Sequence, residues 1–100
     1  MQKTIKYIVH LYFFKGENRT MTKIEKARCE KLIAEAERNL ENSNIEYSKY
    51  ERLKREGKKV DAVCALRNAD QLCGYAEGIY QALTVIGYSS ESMKELTERI

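Results

Sequence analysis

The sequence predicts a mainly α fold: a long antiparallel helical hairpin over about residues 22–56 and 60–87, a short C-terminal helix over about 90–100, and an apolar N-terminal segment over about 4–14. Three observations carry this prediction. The 100 residues include no proline and only five glycines, so little forces a helix to stop. Two long stretches repeat small or apolar residues in alternating steps of four and three, the coiled-coil spacing that keeps one helix face on a partner. Gly57 and Gly87 stand where those two patterns end, and glycine readily takes the left-handed conformation that terminates a helix.

The first helix starts at Thr22-Lys23-Ile24-Glu25, which has the S/T-x-x-E form of a capping box. Its seam is Cys29, Ile33, Ala36, Leu40, Ser43, Tyr47 and Tyr50, and its opposite face carries Glu30, Glu35, Glu37, Arg38 and Glu41. Asn39, Asn42, Ser43 and Asn44 are weak helix formers that compete for backbone hydrogen bonds, so a break near 42–44 is the alternative to a continuous helix. Continuity to about residue 56 is favoured, because Lys54 and Arg55 suit the negative end of the helix dipole just before Gly57.

The second helix is expected near Val60-Asp61, with Asp61 as its cap. Its seam is Ala62, Leu66, Ala69, Cys73, Ala76, Tyr80 and Leu83, widened by Leu72, Ile79 and Ile86. A connection of about three residues returns it antiparallel to the first. Counting outward from that turn sets Tyr50 near Leu66, Ser43 near Cys73 and Leu40 near Ala76. Ser89 or Ser90 then caps a third helix with Met93, Leu96 and Ile100 on its apolar side.

Residues 7–14, YIVHLYFF, stand outside this scheme. Tyr7, Val9, Leu11 and Phe13 alternate as one face of a strand, and the aromatic and β-branched content favours strand over helix. These four are candidate contact residues, either against the second helix or across a dimer. A genetic reading competes, since Lys15-Gly16-Glu17 can be encoded as a ribosome-binding sequence ahead of Met21, which would make Met21 the native start. The expected organisation is one domain over 1–100, with 1–20 as the apolar segment and 21–100 as hairpin plus C-terminal helix. The apolar run is far shorter than the roughly 20 residues of a membrane span. No small-residue cleavage site follows it, which argues against a secretory signal. Three cysteines without paired spacing fit a reducing compartment, so the expectation is a cytoplasmic protein without membrane contact.

Catalysis and metal binding find little support in the residues. His10 is the single histidine, and Cys29, Cys64 and Cys73 fall on or near apolar seams, where cysteine serves as a small buried hydrophobe. Cys64 and Cys73 are nine apart, half a helical turn out of phase, which does not suit a pair of zinc ligands. The chain is expected to be neither an enzyme nor a cofactor or metal carrier.

Two features point to binding instead. Residues 49–59, KYERLKREGKK, put Lys49, Arg52, Lys54, Arg55, Lys58 and Lys59 at the hairpin tip beside Tyr47 and Tyr50, a basic surface for nucleic-acid backbone or an acidic protein. Gly74, Gly78 and Ala82 form a small-residue stripe at four-residue spacing that lets another backbone come close, a candidate oligomer contact. A net charge of +3 is too mild to argue for nucleic acid by itself. The sequence is therefore read as a small non-enzymatic binding protein, an adaptor, regulator or inhibitor of the kind phages and other mobile elements carry. It is expected to act on a protein partner as a homodimer; nucleic-acid binding through the basic tip is the alternative.

Overall fold

The computed structural model describes residues 21–100, which form three helices: α1 (Lys23–Arg55), α2 (Lys59–Val85) and α3 (Glu91–Arg99). The first two pack along their length as the expected antiparallel hairpin, and α3 folds back onto α1 at the open end. No strand occurs among the described residues. The strand expected over 4–14, with Tyr7, Val9, Leu11 and Phe13, lies outside them.

Local chemistry sets the helix ends. The capping box forms as the sequence implies: the Glu25 N–H donates to Thr22 Oγ1 at 3.1 Å and the Thr22 N–H donates to Glu25 Oε1 at 3.2 Å. At the tip, Gly57 takes φ +77°, and the Lys58 N–H reaches the Leu53 carbonyl at 3.0 Å while the Gly57 N–H reaches that of Lys54 at 3.2 Å. This is a Schellman motif, which satisfies carbonyls the helix would otherwise strand. The same motif closes α2, where Gly87 has φ +75° and the Tyr88 N–H donates to the Leu83 carbonyl at 3.0 Å. Ser90 caps α3, its Oγ accepting from the Met93 N–H at 3.1 Å.

One expectation about these elements needs correction. Asp61 does not cap α2; Lys58 occupies that position without a side-chain cap bond, and Asp61 sits in the first turn. The tight turn at Gly57 begins the second helix before Asp61 is reached, leaving its charge to favour the positive end of the helix dipole. The favoured continuous first helix is what forms, since α1 runs unbroken from Lys23 to Arg55 past the alternative break at 42–44. The Ser43 hydroxyl is spent across the hairpin, donating to the Ala69 carbonyl at 2.8 Å. A group that weakens an isolated helix here ties two helices together.

Burial falls into two clusters. The larger lies towards the open end, where Cys29, Ile33, Ala36 and Leu40 of α1 meet Ala76 and Leu83 of α2 and Met93 and Leu96 of α3. Ile33, Leu83 and Leu96 are its most enclosed side chains, and each such burial contributes roughly 1.5–3 kcal/mol. The smaller cluster, Leu53, Ala62 and Ala65 with Tyr50 against it, lies at the tip. Four of the five buried positions on α2 are alanines, small side chains that suit a close approach of the two helices. Tyr47 departs from its expected seam place and is 51% exposed. The helices wind about each other, and by the tip the buried side of α1 has rotated past Tyr47 to Tyr50 and Leu53.

Candidate functional site

Three surfaces compete for the role of site. At the tip, Lys49, Arg52, Lys54 and Arg55 project from the last turns of α1, Lys58 lies in the turn and Lys59 opens α2; all six are exposed. Arg52 Nη1 lies 3.5 Å from Glu56 Oε1, and Lys58 Nζ lies 3.7 Å from Glu56 Oε2. These pairs are solvent-screened and add little stability. Lys54 Nζ stands 5.7 Å from the centre of the Tyr50 ring, and Tyr47 tilts against Tyr50 with ring centres 5.7 Å apart. Lys49, Arg55 and Lys59 make no ion pair among the described residues.

The stripe of Gly74, Gly78 and Ala82 faces away from α1. A Cβ added to either glycine meets nothing within 4 Å, so close packing inside the hairpin depends on the buried alanines and leaves this stripe to solvent.

The third surface was not legible as a site in the sequence. At 3.6 residues per turn, Glu30 lies on one flank of the α1 seam and Glu35, Asn39 and Glu46 lie on the other. The first flank is closed. Tyr88 Oη donates to Glu30 Oε2 at 2.5 Å and Ser90 Oγ donates to the same oxygen at 3.0 Å, fastening the α2–α3 turn to α1. The Tyr88 hydroxyl is the main reason that the Glu30 carboxyl is held below its usual range, and Glu30 in turn pushes the Tyr88 hydroxyl up. The second flank is open. There, a groove of about 460 Å³ runs between α1 and α2, lined by Glu35, Asn39 and Glu46 on one side and Asn68, Gln71, Leu72 and Tyr75 on the other. Tyr75 is 56% exposed, and Glu46 Oε2 is buried without a hydrogen-bond partner. A groove with carboxylates, amides and no cation in its lining suits a donor-rich partner surface.

The cysteines are dispersed. Cys29 is buried, Cys73 is half-buried and Cys64 is exposed, the last against the expectation of a seam position. It falls one residue outside the contact made by Ala62 and Ala65. Burial, then Glu25 and Glu30, pushes the Cys29 thiol up; burial, then Glu77, does the same for Cys73, whose Sγ lies 3.6 Å from Glu77 Oε1. Such thiols are poor nucleophiles at neutral pH. Among the described residues no group of three or more histidine, cysteine, aspartate or glutamate side chains could hold a metal, and no helix is long and apolar enough to cross a membrane. His10 lies outside the described residues.

No protein-family model matches the chain, and neither does any curated protein or solved structure.

Proposed function

We propose that the chain is a non-enzymatic binding protein that works through protein–protein contact on the open flank of its hairpin, in the manner of an adaptor, regulator or inhibitor. The observation that supports this most is the groove of Glu35, Asn39, Glu46, Asn68, Gln71, Leu72 and Tyr75, whose lining includes both a half-exposed aromatic and a carboxylate with a buried, unpartnered oxygen. Aromatic side chains are enriched at protein interfaces and serve there as anchors. The rigid hairpin holds both in place without the partner.

A photo-crosslinking residue at position 75 of the full chain tests the reading. Discrete covalent adducts to protein are expected from position 75 and not from Arg55 at the tip. Absence of adducts from position 75 would remove the proposal. Adducts confined to position 55 with nucleic acid present would favour the second reading, supported by the exposed cations of the tip, in which the chain binds nucleic-acid backbone.

A further inference from the structure

We infer that the open flank pairs with the same flank of a second copy, antiparallel about a two-fold axis, to form a four-helix bundle. This rests on the reading of the flank as a protein-binding surface and names its occupant.

A second heptad runs along α1 beside the buried one. Arg28, Leu32, Glu35, Asn39, Asn42 and Glu46 follow alternating steps of four and three, the spacing of a seam with a partner helix. The row complements itself when reversed. A two-fold axis at the level of Glu37 sets Arg28 of each copy against Glu46 of the partner subunit, Glu35 against Asn39 and Leu32 against Asn42. No like charges meet along the row in this register. Moving the axis half a heptad towards the tip sets Glu35 against Glu46, carboxylate on carboxylate, so charge selects one register over its neighbour. The Glu46 carboxylate, whose Oε2 is enclosed by its own hairpin without a hydrogen-bond partner, is offered a guanidinium by the partner copy at its outer side.

The same axis suits α2, and nothing in the α1 row requires that. The bond from Ser43 to the Ala69 carbonyl sets the level of one helix against the other. Six residues from Ser43 back to Glu37 on α1 correspond to six forward on α2, from the Ala69–Cys73 turn to the Tyr75–Ile79 turn. The axis therefore sets Tyr75 against Ile79 of the partner subunit and Leu72 against Ala82 of the partner subunit, apolar on apolar. Tyr75 is 56% exposed in the single chain and is covered by this pairing. From Arg28 to Glu46, the span symmetric about the axis, the shared length is roughly 27 Å at 1.5 Å per residue. Over the width of two helices, about 18 Å, this is on the order of 1,000 Å² of total buried surface, the size at which specific interfaces begin.

The test is the mass of the full chain in solution by sedimentation equilibrium, for wild type, Arg28→Glu, Glu46→Arg and the combined swap. Wild type is expected to reach twice the 11.7 kDa chain mass at tens of micromolar. Arg28 is exposed, so its reversal leaves the monomer fold in place; each single reversal sets like charges together twice and should weaken association at least tenfold. The combined swap should restore it, which neither a folding defect nor pairing through residues 1–20 would produce. A wild type that stays monomeric at several hundred micromolar overturns the inference, as does a combined swap that is no tighter than the single variants. Peptide mapping of the crosslink from position 75 separates this failure from that of the broader reading. A link to residues around Ile79 of another copy supports self-pairing. A link to residues 1–20 of the same chain or to a different protein overturns it, and the latter leaves protein binding standing.

Discussion

Replacing Leu83 by alanine should remove a large part of the stability of this fold. Leu83 is 1% exposed and sits where α1, α2 and α3 meet, against Ile33, Met93 and Leu96 in one cluster. Leucine-to-alanine changes at such sites cost about 2–5 kcal/mol, and the amount rises with the cavity that persists. Here the walls belong to three helices held by two Schellman turns and the Glu30 contacts, so the hole cannot close by one helix sliding inward; about 3 kcal/mol is expected. That is a fifth to a half or more of the roughly 5–15 kcal/mol of a typical domain. At about 4–8 °C per kcal/mol for a domain of this size, the melting temperature should fall by roughly 12–24 °C. Thermal and urea melts followed by circular dichroism at 222 nm measure it, with Val63→Ala as the control, since Val63 is 63% exposed. The control should stay within about 0.5 kcal/mol of wild type. Equal losses in the two variants would refute the division between a buried α2 seam and a wet outer face.

The remaining predictions concern the turns and the tip. Glu30 is held below its ordinary value of 4.5, chiefly by the Tyr88 hydroxyl, so the stability it adds is present above that value and is lost as pH falls through its lower folded value. Tyr88→Phe should therefore narrow the drop in melting temperature between pH 7 and pH 3 relative to wild type. Gly57→Ala should destabilise by about 1–2 kcal/mol, because the tip needs φ +77° and a Cβ meets strain there although no neighbour blocks it; urea midpoints measure this, and an unchanged midpoint would mean the turn can relax. If the tip binds nucleic acid, affinity should fall steeply and sequence-independently with salt, and Arg52→Glu with Arg55→Glu should abolish it while the far-ultraviolet spectrum stays the same.

The parts of the fold that local rules decide were readable in advance. The Thr22 capping box, the ends at Gly57 and Gly87, and the pairing of the Ser43 turn with the Ala69–Cys73 turn all follow from spacing and cap chemistry within a few residues. Misreadings arose where the answer depends on how two helices wind around one another. A heptad continued to the tip without that rotation puts Tyr47 on the seam, where it is 51% exposed, and Cys64 is exposed because it falls just off the Ala62–Ala65 contact. Spacing alone puts Glu30 on the wet face, because its partners, Tyr88 and Ser90, are about sixty positions away and only the return of α3 brings them near. The groove was hidden for a related reason. Glu35, Asn39 and Glu46 look like ordinary solvated positions on α1 alone, and they become a surface only when Leu72 and Tyr75 of α2 are set beside them.

The concentration of packing at the open end bears on how the chain matures during synthesis. The tip cluster joins residues about ten positions apart, Leu53 with Ala62 and Ala65, and can close almost as soon as the turn has left the ribosome. The larger cluster begins with Cys29 and Ile33 yet is completed by Met93 and Leu96. At translation rates of about 5–20 residues per second, roughly 3–13 s pass between Ile33 and Leu96. For that interval the apolar side of α1 is a nascent amphipathic helix whose strongest contacts have not yet been made. A ribosome pausing within the codons for α2 would lengthen the exposure, and loss of the codons for α3 would leave the tip zipped and the other end of the hairpin open to chaperones and proteases.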